Sequence, residues 1–118
     1  MIRWVGSSRK DLRRFPREVR RDVGAVLDAA QLGKMDPSGR PLKGFGGAGV
    51  IEVRVAFRTN AYRAVYTAQF GEAIYVLHAF QKKSTRGIAT PKREIEVIEA
   101  RLKQAAEIDR AAQKDERK

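Results

Sequence analysis

The order of hydrophobic patterns predicts an α+β fold, with an N-terminal strand and two helices packed on a curved antiparallel sheet and a C-terminal helix closing the chain. Three observations carry this prediction. Residues 12–30 repeat apolar side chains at helical spacing, residues 50–80 hold three successive strand-like runs, and a second helical stripe follows Thr90-Pro91. The length, 118 residues, suits a single domain, and a domain of this size buries roughly 65% of its unfolded-chain surface without staples. One domain is expected over residues 1–108, with a charged tail over 109–118 that frays into solvent.

Ile2-Arg3-Trp4-Val5 reads as a short opening strand. Ser7 and Ser8 then offer hydroxyls for a helix N-terminus, and Asp11 lies near the positive end of its dipole. Leu12 and Phe15 give this first helix its apolar side. Pro16 interrupts it, because proline disfavours helical geometry in the residue before it, and also suits the first turn of a second helix. That second helix aligns Val19, Val23, Val26, Leu27 and Ala30 on one face, shows Arg17, Arg20, Arg21 and Asp28 on the other, and stops at Gly33.

Residues 34–49 are rich in Gly and Pro without periodicity, and are expected to form a long loop. Val50 to Phe57 alternates, with Ile51, Val53, Val55 and Phe57 against Glu52, Arg54 and Ala56. Tyr62 to Thr67 sets Tyr62, Ala64 and Tyr66 on one face and Arg63, Val65 and Thr67 on the other. Ala73 to Phe80 is mostly apolar, as a strand covered on both sides would be. The links at 58–61 and 69–72 are short enough for hairpins, so these strands read as an antiparallel meander. Residues 81–89 form a polar, basic loop; Thr90-Pro91 then starts a helix whose core stripe is Ile95, Ile98, Leu102 and Ala105.

The charge balance narrows the function. Twenty-five Lys and Arg against fourteen Asp and Glu give +11, distributed as +5 in residues 1–24, +2 in 25–81 and +4 in 82–118. A cationic field spread along a small domain is the footprint of a polyanion binder, most simply nucleic acid, with an anionic membrane or an acidic protein as the other options. There are no cysteines and one histidine, which removes disulfides, thiolate metal sites, Cys–His pairs and His clusters. The glycines at 44, 46, 47 and 49 lack a following Lys-Ser/Thr and precede a strand, so they do not read as a phosphate loop. No apolar run approaches the roughly 20 residues of a membrane span, and the first residues lack the apolar core of a signal peptide, so a cytoplasmic protein is expected.

The remaining chemistry is cationic. Arg54, Arg58 and Arg63 belong to the first two strands of the meander, and Lys82, Lys83 and Arg86 follow the third. Arg54 and Arg63 share a sheet face if the pairing register allows it. Guanidinium and ammonium groups clustered in this way can brace a scissile phosphate as its charge develops, or can position a phosphate without reacting. His78 stands among Val76, Leu77, Ala79 and Phe80, the setting of a half-buried structural histidine, although its ordinary pKa also suits proton transfer. Tyr62, Tyr66 and Tyr75 either stack on bases or fill the core.

Taken together, Ile51-Glu52-Val53-Arg54, Ala61-Tyr62-Arg63-Ala64-Val65-Tyr66, Leu77-His78-Ala79-Phe80-Gln81-Lys82-Lys83-Ser84 and Thr90-Pro91 resemble the phage-derived HigB-like branch of the RelE/ParE toxin superfamily. The order of elements agrees over about residues 2 to 105. The resemblance implies the toxin of a type II toxin–antitoxin system, a ribosome-associated mRNA endoribonuclease that inhibits translation. Its partners would be mRNA, the ribosome and a helix-turn-helix antitoxin with an acidic segment, with no membrane involved. It assigns phosphate contacts to Arg63 and Lys83, with Arg54 lining the same groove, and implies attack by the RNA 2′-hydroxyl without a metal or other cofactor. Two departures stand out: Glu52 replaces a common lysine, and no tyrosine follows Lys82-Lys83. The general base is therefore open between His78 and Lys82, with Arg58, Arg86 and Tyr66 as RNA contacts. The same resemblance admits a ParE-like gyrase inhibitor, and the composition alone admits a non-enzymatic RNA- or ribosome-binding module.

Overall fold

The computed structural model describes residues 1–45, 49–68, 73–82 and 89–116. Its elements are β1 (Ile2–Trp4), α1 (Ser8–Arg13), α2 (Arg17–Gln31), β2 (Gly39–Pro41), β3 (Val50–Phe57), β4 (Asn60–Thr67), β5 (Ile74–Lys82) and α3 (Lys92–Glu116). The strands form one sheet in the order β1-β5-β4-β3-β2. The α+β class is the predicted one, with two revisions to the sheet. β1 runs parallel to β5, pairing Ile2 with Ile74 and Trp4 with Val76, so the sheet is mixed and only β2 to β5 are antiparallel. β2 lies inside the segment expected to be loop, pairing Gly39 with Val53 and Pro41 with Ile51. Three residues with a Gly and a Pro carry no strand signal, and an edge strand is where a residue without an N–H is tolerated.

Both faces of the sheet are covered. On one face, Ile51, Val53, Ala64, Tyr66 and Val76 meet Leu12 and Phe15 of the α1 segment and Val19, Val23, Val26 and Leu27 of α2. On the other, Val50, Val65, Tyr75 and Leu77 meet Ile98 and Ala105 of α3. β5 is buried on both sides, as its continuous apolar run requires. The helix starts differ in detail from the expected caps. Pro16, at φ −54° and ψ 149°, sits just before α2, its carbonyl accepting from the Arg20 N–H at 2.9 Å. The Ser7 hydroxyl donates to Asp11 Oδ2 at 2.7 Å and accepts from no helix N–H, and the Ser8 hydroxyl donates to the Val76 carbonyl at 2.9 Å, fastening α1 to β5. α3 continues through Glu116, whereas fraying was expected past Ile108; Ala105 is its last fully buried side chain.

One irregularity decides what faces α3. Val65 opposes His78 while Tyr66 opposes Val76, which leaves Leu77 as an extra residue in β5. Such a β-bulge resets side-chain alternation. Leu77 therefore packs toward α3 with Tyr75, and His78, opposite Val65, lies on that same face, followed by Phe80 and Lys82. Regular alternation from Tyr75 and Leu77 would have put all three on the α1–α2 side.

Candidate nucleic-acid interface

The register places Arg54 of β3 directly opposite Arg63 of β4, so both side chains leave the sheet on the α3 face, as the sequence required for a shared site. Two guanidinium groups side by side repel, and Glu52 answers that repulsion. The Glu52 carboxylate, 2% exposed, accepts from Arg54 Nε at 2.7 Å and from the Thr90 hydroxyl at 2.8 Å, with Arg63 Nη1 at 3.7 Å. Arg63 Nη1 also donates to Thr90 Oγ1 at 3.3 Å. Arg63 itself is 3% exposed, and its Nε is buried without a hydrogen-bond partner. Burial foremost lowers its pKa, Arg54 adds to that, and Glu52 opposes it. Arg54 is the accessible member, its side chain 40% exposed.

Lys82 comes from the end of β5 on this face, its ammonium donating to the Ala89 carbonyl at 3.1 Å. Its pKa is lowered, first by desolvation and then by the charges of Arg63 and Arg54, against a smaller raising effect from Glu52. A groove of about 550 Å³ opens beside this cluster, lined by Arg40, Leu42, Lys43, Arg54, Thr90 and Ile95 among others. Its charges are cationic apart from Glu52, which is already engaged. Such a trough binds an anion through several donors at once.

His78 stands deeper under α3, 8% exposed and stacked on Phe80 with ring centroids 5.0 Å apart. Its Nε2 bonds to the Glu94 carboxylate, and Arg101 Nη1 lies 3.3 Å from Nδ1. A guanidinium only donates, so Nδ1 accepts and the ring proton belongs on Nε2, facing Glu94. Arg101 further donates to the Leu77 carbonyl at 2.9 Å and to Ser7 Oγ at 2.9 Å. Gly6, at φ +57°, leaves room for this guanidinium; a Cβ there would stand 2.7 Å from Arg101 Nε. Both nitrogens of His78 are thus taken up, as in a structural histidine.

The other expected contacts fall elsewhere. Tyr66, expected to reach RNA, is 2% exposed on the opposite face of the sheet, where its hydroxyl lies 4.0 Å from Met35 Sδ. Burial, with Asp36 nearby, raises its pKa. The alternation that put Arg63 toward the site turned Tyr66 into the α2 core, so it is corrected to a packing residue. Arg58 occupies the β3–β4 turn at φ 58°, exposed, with its guanidinium 5.4 Å from the Phe57 ring centroid. It is at the hairpin tip, beyond the Arg54–Arg63 position. Lys83 and Arg86 lie outside the described residues. Sequence reasoning missed Glu52 and Thr90 as site organisers and Glu94 and Arg101 as partners of His78. The alternation of β3 already placed Glu52 beside Arg54; the helix residues carried no signal for their long-range contacts. Among the described residues, no three His, Asp or Glu side chains form a group that could hold a metal ion, and no helix is long and apolar enough to cross a membrane.

A protein-family model described as phage derived protein Gp49-like matches residues 10–103, which contain most of α1, all of α2, every residue of the cluster and the start of α3. The chain belongs to the phage-derived Gp49-like family. This is the branch whose resemblance the sequence carried, a family of RelE/HigB-type toxins. No curated protein matches the chain. Among solved structures, a chain of the toxin–antitoxin complex RelBE2 from Mycobacterium tuberculosis is similar at 20% identity, with a TM-score of 0.47, over 70% of this chain and 96% of that one. The Gp49-like sequence match is the finding that assigns the family.

Proposed function

We propose that this Gp49-like protein is the toxin of a toxin–antitoxin pair and that it arrests translation by cutting mRNA on the ribosome, in the cytoplasm, without a metal. The observation that carries the reading is the Arg54–Arg63 pair, register-matched on one sheet face and braced by Glu52 and Thr90, with Arg54 lining a cationic groove. In the proposed reaction the RNA 2′-hydroxyl attacks the adjacent phosphorus and the bond to the 5′-oxygen breaks. The products are a 2′,3′-cyclic phosphate and a 5′-hydroxyl. The 2′-hydroxyl proton passes to a base and the leaving oxygen takes up another proton. Arg54 would hold a non-bridging oxygen, where charge accumulates in the transition state, and Arg63, buried behind it, would add its positive charge to the same site. Lys83 would join them, and Arg58 and Arg86 would hold flanking phosphates. Lys82 is the better supported base, because it leaves the end of β5 on the Arg54–Arg63 face with a lowered pKa, whereas His78 is held between Glu94 and Arg101 under α3. His78 then serves as a structural residue that ties β5 to Glu94 and Arg101 of α3.

Primer extension on cellular mRNAs after brief induction tests this. Wild-type protein should produce new 5′ ends within coding regions. Arg54→Ala should reduce them by about 10²- to 10³-fold, the typical cost of one transition-state donor. Its exposed side chain can be removed without emptying the core. Growth arrest with intact mRNA and altered DNA supercoiling would overturn the reading in favour of a gyrase inhibitor. RNA binding with neither arrest nor cleavage would overturn it in favour of a binding module.

A further inference from the structure

The largest block of positive charge is not in the groove. Arg9, Lys10, Arg13, Arg14, Arg17, Arg20 and Arg21 put seven cations into thirteen consecutive positions, and all seven are exposed on α1, α2 and their junction. None of these side chains makes a hydrogen bond or ion pair among the described residues, although Asp11, Glu18 and Asp22 are interspersed with them. Asp11 is instead bonded to Ser7. Cations that only solvated a helix could readily pair with acids at i, i+4 spacing. Here they remain open to a partner, and they occupy the opposite side of the sheet from Arg54, Arg63 and Lys82.

Four features of this surface select its partner. Its composition, six arginines and one lysine, favours phosphate, which a guanidinium grips with two parallel bonds. Its aromatic neighbours on the helices' own side, Phe15 and Tyr62, are 7% exposed and pack on each other, so among residues 9–21 no exposed ring is offered to stack single-stranded bases. The apolar face of α2 is spent on the sheet, so the helix has nothing to insert into a lipid surface. No large apolar side chain stands exposed among the seven cations to anchor a folded protein. Phosphates held on the outside of a double helix match these conditions, since they are read by charge without base contacts.

We propose that the outer face of α1 and α2 is a second nucleic-acid site that docks the backbone of a double-stranded RNA segment, independently of the groove. The choice of RNA over DNA rests on the reading of the groove as an RNA site. One protein would then hold a structured RNA on its helical side while a single strand lies along the sheet side. Double-helical RNA would position the enzyme, and the groove would engage the strand to be cut.

The test measures binding of an RNA duplex of about 16 base pairs, the span covered by double-stranded RNA modules, to wild type and to the combined variant Arg17→Ala, Arg20→Ala, Arg21→Ala. An unchanged circular dichroism spectrum and melting temperature establish that the variant folds. Duplex affinity should fall at least about tenfold at moderate salt, and the slope of log affinity against log salt should shrink by about 2 to 3, near 0.9 for each phosphate no longer neutralised. Affinity for a short unpaired RNA should stay within about twofold, and the duplex should not displace it. Unchanged duplex affinity and slope would overturn the proposal, as would displacement of the duplex by the unpaired strand. Tighter binding to a DNA duplex of the same length, or selective loss of binding to a polyglutamate peptide or to phosphatidylserine vesicles, would overturn it in favour of those partners. If the variant loses duplex binding while wild type cuts no RNA, the helical site stands and the proposed function fails. If cleavage persists and duplex binding is indifferent to the variant, the reverse holds.

Discussion

Glu52 shows how much one residue's role depends on its neighbours. By composition it subtracts from a basic site, and by the family resemblance it replaces a lysine. In the fold its buried carboxylate joins Arg54 to Thr90 and lies beside Arg63, holding two like charges in adjacent register. Alternation along β3 and β4 made the shared face of Arg54 and Arg63 legible, but the Thr90 contact spans 38 positions of sequence and left no local trace. Lys82 carries the residue-scale prediction. Desolvation and the two arginines lower its pKa, so its ammonium loses its proton at a lower pH than an ordinary lysine. Below that depressed pKa the folded state bears the cost of the charged form, and the cost is relieved as pH rises toward the unfolded value. If Lys82 takes the 2′-hydroxyl proton, single-turnover cleavage should rise with pH through this depressed pKa, and Lys82→Arg should abolish that limb. An unchanged pH profile in Lys82→Arg would remove Lys82 from the role of base.

At the scale of elements, the meander and both helical stripes were readable because each rests on a local period, 2 or about 3.6. Two features were not. β2 is a three-residue edge strand in Gly/Pro-rich sequence, and the bulge at Leu77 shifts parity without changing composition. The bulge matters to the site because it carries His78 and Lys82 across to the α3 face. α3 in turn is held there by Ile98 and Ala105 and by Arg101 on the Leu77 carbonyl. Ile98 is fully buried, whereas Ile108, about one turn past Ala105, is 39% exposed. Ile98→Ala should therefore destabilise the fold by about 2 to 5 kcal/mol through reduced burial and a residual cavity. Ile108→Ala should stay within about 0.5 kcal/mol, as surface substitutions do. Urea unfolding at fixed pH compares them. Equal midpoint shifts would show that α3 is not clamped at Ile98.

At the scale of the whole molecule, charge is the property that the sequence displayed without any folding argument, and the fold divides it between two sides. The net +11 extends a field over roughly a Debye length, about 8 Å at physiological salt, so both sides attract polyanions before contact. A toxin with such a field needs neutralisation while its gene is expressed, and an acidic antitoxin segment that orders on binding would meet that need with fast association. The segment would cover the Arg54–Arg63 groove or block entry to the ribosome. Stopped-flow mixing with the product of the adjacent gene distinguishes steering from slow contact formation. The association rate should fall by about tenfold or more from low to physiological salt, while the dissociation rate, set by buried contacts, changes little. Arg54→Ala should raise the dissociation rate if the groove is covered, and should leave it unchanged if the segment binds another surface instead. An association rate insensitive to salt would mean that recognition does not begin with this field, and the acidic-segment hypothesis would fail with it.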